Sequence, residues 1–243
     1  MAISDVLSPA EVDALLHGVE DGEIEAGETP ACDPIEVTAY NFSSRDHIVR
    51  GPLPTLQMIY ERFSRHLRTS LYNLLRCKTD ITLSRVEALK FSDYLRTLPT
   101  SAALHLVQVH PLSGTALFLL EPRLVYLLVD GFFGGGGRPA AADAIRELTS
   151  AEMRVTHIVL EQAYHDFARA WDPVLTVRLE PVKAETNPQF VNIASPSEKV
   201  VVVRQDLDFQ GNRGQFHIAM PYAMLEPIKE ALDGGIQSDR EEL

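Results

Sequence analysis

The 243 residues are 45% hydrophobic, enough chain and enough apolar material for one sizeable folded domain or two small ones. The formal net charge is −12, but ten of the 34 Asp and Glu residues fall within residues 1–44, where there is no Lys or Arg, leaving 24 acids against 22 bases in the rest. The acidity therefore belongs to an N-terminal tail, and the near-neutral body lacks the basic stripe of a nucleic-acid binder, so no nucleic acid is expected as a partner. Cys32 and Cys77 are the only cysteines, which suggests no disulfide framework and no Cys-type zinc site. No apolar stretch approaches the roughly 18 residues of a membrane span, and the first residues lack the cationic and apolar regions of a secretory signal. The expectation is a soluble, cytoplasmic protein.

In chain order, "LSPAEVDALLHG" (7–18) is the first element. Ser8 is the cap, Pro9 takes the first helical position, Glu11 completes the Ser-x-x-Glu box, and Leu7 with Val12 forms the staple. Gly18 stands where a left-handed stop belongs, so the helix is short, and helices under about 12 to 15 residues are marginal alone in water. Val12, Leu15, Leu16 and Val19 share one face and need a partner, while Glu11 and Asp13 lie away from it. The body of the same chain is one candidate. The stretch that follows, "EDGEIEAGETPACDPIE" (20–36), has seven acids and little to bury, and reads as a solvated tether. That favours a recognition helix that orders in the groove of a separate protein.

From residue 45 the body reads as one unit used twice. A helix near 54–76 precedes "SRVEAL" (84–89), and a helix near 150–170 precedes "VRLEPV" (177–182), each strand carrying Arg-x-Glu. The second helix opens with Thr149 and Glu152 in a capping box, stapled by Leu148 and Met153. Residues 103–133 and 199–232 then each read strand, Gly-containing turn, strand and a helix started by Pro122 or Pro221. The fold class expected is α/β: a pseudo-two-fold domain of two α-β-β-β-α repeats in layers, with a largely antiparallel sheet.

Chemistry is hard to find. His105 and His110 sit at odd separation on one strand and point to opposite faces, so they share no ion; no metal site and no cofactor are expected. Ser113 lies in a hairpin turn and no nucleophile has a base beside it, so no catalytic residue is assigned. The Gly-rich "DGFFGGGGRP" (130–139) follows a helix, lacks the Lys-Ser or Lys-Thr of a P-loop, and is not G-x-G-x-x-G. A flexible helix exit would need one or two glycines. Four, flanked by Phe132, Phe133 and Arg138, allow close backbone approach with apolar and cationic grips beside it, which favours a protein contact.

Together "LSPAEVDALLHG", "YNFSSRDHIVRGPLPTLQMIYERFSRHLRTSLYNLLR" (40–76), "LVDGFFGGGGR" (128–138) and "MPYAMLEPIKEAL" (220–232) resemble the flagellar motor switch family FliM over nearly the whole chain. The resemblance implies a non-enzymatic subunit of the C-ring that helps set the direction of flagellar rotation, on the cytoplasmic face of the inner membrane within the flagellar basal body. It implies that phosphorylated CheY binds Leu7, Ser8, Glu11, Val12, Asp13, Leu15 and Leu16, with His17 standing where enteric relatives have Asn. It also implies that the rotor protein FliG binds Phe132, Phe133, Gly134, Gly135, Gly136, Gly137 and Arg138. Neighbouring FliM copies in the ring are further partners. FliN is another, through a C-terminal FliN-like domain that this chain, ending in "GGIQSDREEL", does not contain.

The resemblance divides the chain into a CheY-binding peptide (1–18), an acidic linker (19–44), a CheC-like middle domain (45–233) and a C-terminal linker or tail (234–243). The CheC-type phosphatases share the expected middle-domain fold and are the enzymatic alternative, and a purely structural ring scaffold is another. The phosphatases need a helical acid followed three residues later by Asn. Glu61 is followed by Ser64, and neither Glu152 nor Glu161 has the amide.

Overall fold

The computed structural model describes residues 54–135 and 146–233. The recognition helix of 7–18, the acidic linker, Gly136, Gly137, Arg138 and the last ten residues lie outside the described residues.

Helix α1 (Pro54–Leu75) buries Leu56, Ile59, Tyr60, Phe63, Leu67, Leu71 and Leu75, the three-to-four spacing of one apolar face. It stops at Arg76, which takes a left-handed φ of 53°. Helix α4 (Ser150–Trp171) starts on the expected box: Glu152 N–H donates to Thr149 Oγ1 and Thr149 N–H donates to Glu152 Oε2 at 2.7 Å. Leu148 and Met153, the expected staple, are both partly buried against the core. Between these helices lie β1 (Thr79–Lys90), α2 (Phe91–Thr97), β2 (Ala103–His110), β3 (Thr115–Leu120) and α3 (Pro122–Phe132). After α4 come β4 (Arg178–Glu185), β5 (Lys199–Phe209), β6 (Asn212–Pro221), α5 (Tyr222–Leu225) and α6 (Lys229–Asp233).

The six strands form one antiparallel sheet in the order β1-β5-β6-β3-β2-β4. Exchanging the equivalent strands of the two repeats, β1 with β4, β2 with β5 and β3 with β6, reverses this order. The pseudo-two-fold axis therefore runs between β3 and β6. Each repeat lends its first strand to the other repeat's hairpin, β1 beside β5 and β4 beside β2. The two Arg-x-Glu signatures become matching ion pairs on the two edge strands, Arg85 with Glu87 at 3.2 Å and Arg178 with Glu180 at 3.4 Å.

Both faces of the central strands are covered. One packs on the long helices, where Phe63, Phe118, Phe167 and Phe216 meet at centroid distances of 5.4 to 6.2 Å. Gln205 of β5 pins α1 to this face by donating to Ser64 Oγ at 2.8 Å. The other face holds a smaller cluster in which Phe91, Tyr94 and Val191, from the segments joining first to second strands, cover Leu104, Leu117 and Val202. This double burial explains why "TALFLL" and "KVVVV" are continuous apolar runs instead of alternating ones.

Two local expectations need correction. The Arg-x-Glu segment 84–89 lies on a strand as expected, but its burial does not alternate there, and the strand extends back to Thr79. Pro122 opens α3, but Pro221 is the last residue of β6 and caps a helix of four residues, which Pro227 then breaks into a 3₁₀ turn, Glu226–Ile228. Proline inside a helix removes an N–H and crowds the preceding turn, so the second repeat has no intact counterpart of α3.

Candidate protein-interaction site

Helix α3 is held firmly. Leu124, Val125, Leu127 and Leu128 are buried, and its first turn presses on β6 at Gly214, where a methyl group would lie 2.7 Å from Leu124 Cα. At its far end, a methyl on Gly131 would be 3.6 Å from the Leu75 side chain of α1.

The helix ends in a Schellman motif. Gly134 N–H donates to Gly131 O at 3.0 Å, Gly135 N–H donates to Asp130 O at 2.8 Å, and Gly134 has φ +82°. A side chain on Gly135 would run into the Asp130 carboxylate. The first two glycines of the run are thus explained by helix termination, the plainer of the two sequence readings. Beside this stop, Phe132 and Phe133 stack edge to face at 5.5 Å, with Phe133 73% exposed. A solvent-facing aromatic pair on a rigid helix end is suited to anchoring a protein partner. The structure brings together Phe132, Phe133, Gly134 and Gly135 of the expected contact.

The chain returns at Arg146, a residue that the sequence reading passed over. Its guanidinium bonds both carboxylate oxygens of Glu152, one at 3.0 Å, and lies 5.0 Å over the Tyr126 ring of α3. Burial opposes ionisation of Glu152, but Arg146 and the Thr149 box outweigh it and hold the carboxyl below its usual range. Tyr126 and Asp130 are one turn apart on α3, so Gly135 and Arg146 are both tied to neighbouring positions of one helix.

The other groups considered lie apart. His105 is buried, which lowers its pKa to about 4, while half-buried His110 faces Glu180 at 3.6 Å. Among the described residues no three His, Cys, Asp or Glu side chains are grouped to hold a metal ion, and no helix is long and apolar enough to cross a membrane. Glu61 accepts from Gln57 at 3.1 Å, whereas Ser64 is buried against the sheet. Glu161 meets His157 at 3.3 Å, with buried Tyr164 three residues on.

The model of the family described as flagellar motor switch protein FliM matches residues 49–235. The FliM of Pseudomonas aeruginosa is 49% identical over 242 residues, covering 100% of this chain and 74% of that protein. The chain belongs to the FliM family. Escherichia coli FliM is 35% identical over 93% of this chain and 68% of its own length. Among solved structures, the FliM middle domain of Vibrio alginolyticus superposes with TM-score 0.68 at 42% identity, over 73% of this chain and 99% of that one. A FliM from Helicobacter pylori, solved as a FliG–FliM complex, gives TM-score 0.69 at 22% identity, over 73% and 97% of the two chains, and shows the shared fold. The FliM resemblance and the layered pseudo-symmetric fold drawn from the sequence both stand.

Proposed function

We propose that this chain is a non-enzymatic C-ring subunit with two binding modules. The tail, residues 1–18, captures phosphorylated CheY through Leu7, Ser8, Glu11, Val12, Asp13, Leu15 and Leu16. The acidic linker (19–44) tethers it to the middle domain (45–233), and residues 234–243 form a C-terminal linker or tail. The middle domain grips FliG through Phe132 to Arg138, beside neighbouring FliM copies, at the cytoplasmic face of the inner membrane. FliN is a further partner in this reading.

The observation that carries the FliG reading is the exposed Phe132–Phe133 pair on a Schellman-stopped, tightly packed helix. That the Helicobacter pylori relative was solved as a FliG–FliM complex supports it. The tail reading rests on the capped, one-faced helix signature before an acidic tether. For rotation sense to respond, CheY must bind one orientation of the subunit more tightly than another, since equal affinity shifts nothing.

The test is the Leu16→Asp variant of the full chain, assayed for phosphorylated CheY and for FliG. Capture of CheY should be lost with FliG affinity intact. Equal loss of both, or of neither, overturns the two-module reading.

A further inference from the structure

The stop at the end of α3 departs from the common form of its own motif. In a Schellman motif the residue after the left-handed position often packs an apolar side chain back on the third residue from the helix end. Here those two residues are Gly135 and Asp130, joined by the bond from Gly135 N–H to Asp130 O at 2.8 Å. No apolar clasp can form between them. The Asp130 carboxylate lies instead against the bare Cα of Gly135, with its carbon and both oxygens in the space that a Cβ there would need. Glycine at 135 therefore has a cause other than backbone conformation. The left-handed residue is Gly134, at φ +82°, and Gly135 lies outside that region, so it is the carboxylate that excludes a side chain.

Asp130 is badly placed for the helix that carries it. The carbonyls at a helix C-terminus give that end a partial negative charge, so an acid in the last turn is unfavourable, and α3 has no basic residue there to offset it. Aspartate is also a weak helix former. A residue that disfavours its own helix on both counts, and that demands glycine five positions on, is expected to serve something other than the helix. The arrangement leaves aromatic surface uncovered. Because the clasp is a carboxylate on a glycine backbone, Phe132 and Phe133 stay at the surface, stacked on each other at 5.5 Å.

We infer that Asp130 is a positioning residue of the FliG contact: its carboxylate holds the chain leaving α3 against the helix end, and so fixes the direction in which Phe133 and the glycine backbone are presented. This rests on the FliG reading above. Asp130 acts through Gly135, and a contact already held in one direction loses less freedom on binding than one the partner must order.

The experiment measures FliG affinity, its salt dependence and Tm for the full chain and for Asp130→Ala, Asp130→Asn, Gly135→Ala and Asp130→Ala/Gly135→Ala, with Phe133→Ala as the reference for the platform. Asp130→Ala should bind FliG about tenfold more weakly, with Tm at or above wild type because an acid has left the negative end of the helix. Asp130→Asn keeps the shape and should recover most of the affinity. Gly135→Ala should weaken binding by displacing the carboxylate, and the double variant should be no weaker than the weaker single one. Wild-type affinity in Asp130→Ala, with loss in Phe133→Ala, overturns the inference and leaves the FliG reading standing. Wild-type affinity in Phe133→Ala overturns the FliG reading and this inference with it. A Tm that falls in step with affinity, or additive losses in the double variant, also overturns the positioning role. So does an Asp130→Asn variant as weak as Asp130→Ala with a flatter salt dependence, which would make the carboxylate a direct charge contact with FliG.

Discussion

Gly214→Ala tests how α3 is placed. The added methyl would lie 2.7 Å from Leu124 Cα, 2.8 Å from Leu124 Cβ and 2.9 Å from Leu124 N. Carbon atoms pack comfortably at about 3.5 to 4.0 Å, so the first turn of α3 must retreat by about 1 Å. These are backbone atoms and a Cβ, so no side-chain rotation can relieve the contact. Overpacking of this kind costs about 1 to 3 kcal/mol, and replacing glycine returns about 0.4 to 1 kcal/mol through the unfolded chain. The net loss of about 1 to 2 kcal/mol should lower Tm by about 2 to 8 °C for a body of this size, measured by thermal circular dichroism. Because α3 carries the Phe132–Phe133 platform, FliG affinity should fall in the same variant. Adding Leu124→Ala should not rescue it, since the clashing atoms remain. An unchanged Tm and FliG affinity, or rescue by Leu124→Ala, would refute the reasoning.

Glu152→Gln removes the carboxylate shared by Arg146 and the Thr149 cap and should cost about 1 to 3 kcal/mol at neutral pH in urea unfolding. Because the folded-state pKa is depressed, that stabilisation is complete above the ordinary value of 4.5 and is lost as pH falls through the folded value, so the gap between wild type and variant should close on acidification. A pH-independent gap would contradict this. Gly134→Ala forces a side chain into a φ of +82° and should destabilise by about 1 kcal/mol in the same assay, with no loss if another residue can end the helix.

The parts of the fold legible in the sequence were those written in local chemistry. The α1 face, the Thr149–Glu152 box and the hairpin turns at Gly114 and Gly211 each depend on residues a few positions apart. The repeat itself was legible through Arg85-x-Glu87 and Arg178-x-Glu180. The interleaving was not, because nothing in β1 shows that it will pair with β5, more than a hundred residues away, instead of with its own hairpin. The broken last helix could have been read from Pro227, but the match of Pro221 to Pro122 concealed it.

In the candidate site, Phe132, Phe133 and the glycines were visible as a motif. The division of labour among the glycines needed the bond from Gly135 to Asp130. The stacking of Arg146 on Tyr126 was invisible because the two are twenty residues apart, although its other partner, Glu152, is only six residues on.

The central claim, that the end of α3 is the body's FliG contact, is tested most directly by site-specific photo-cross-linking to FliG. A benzoylphenylalanine probe would replace Phe133, which is 73% exposed, with Phe190, 66% exposed elsewhere on the body, as the control. The expected result is a strong adduct from position 133 and none from position 190. An adduct from 190 with none from 133 would contradict it.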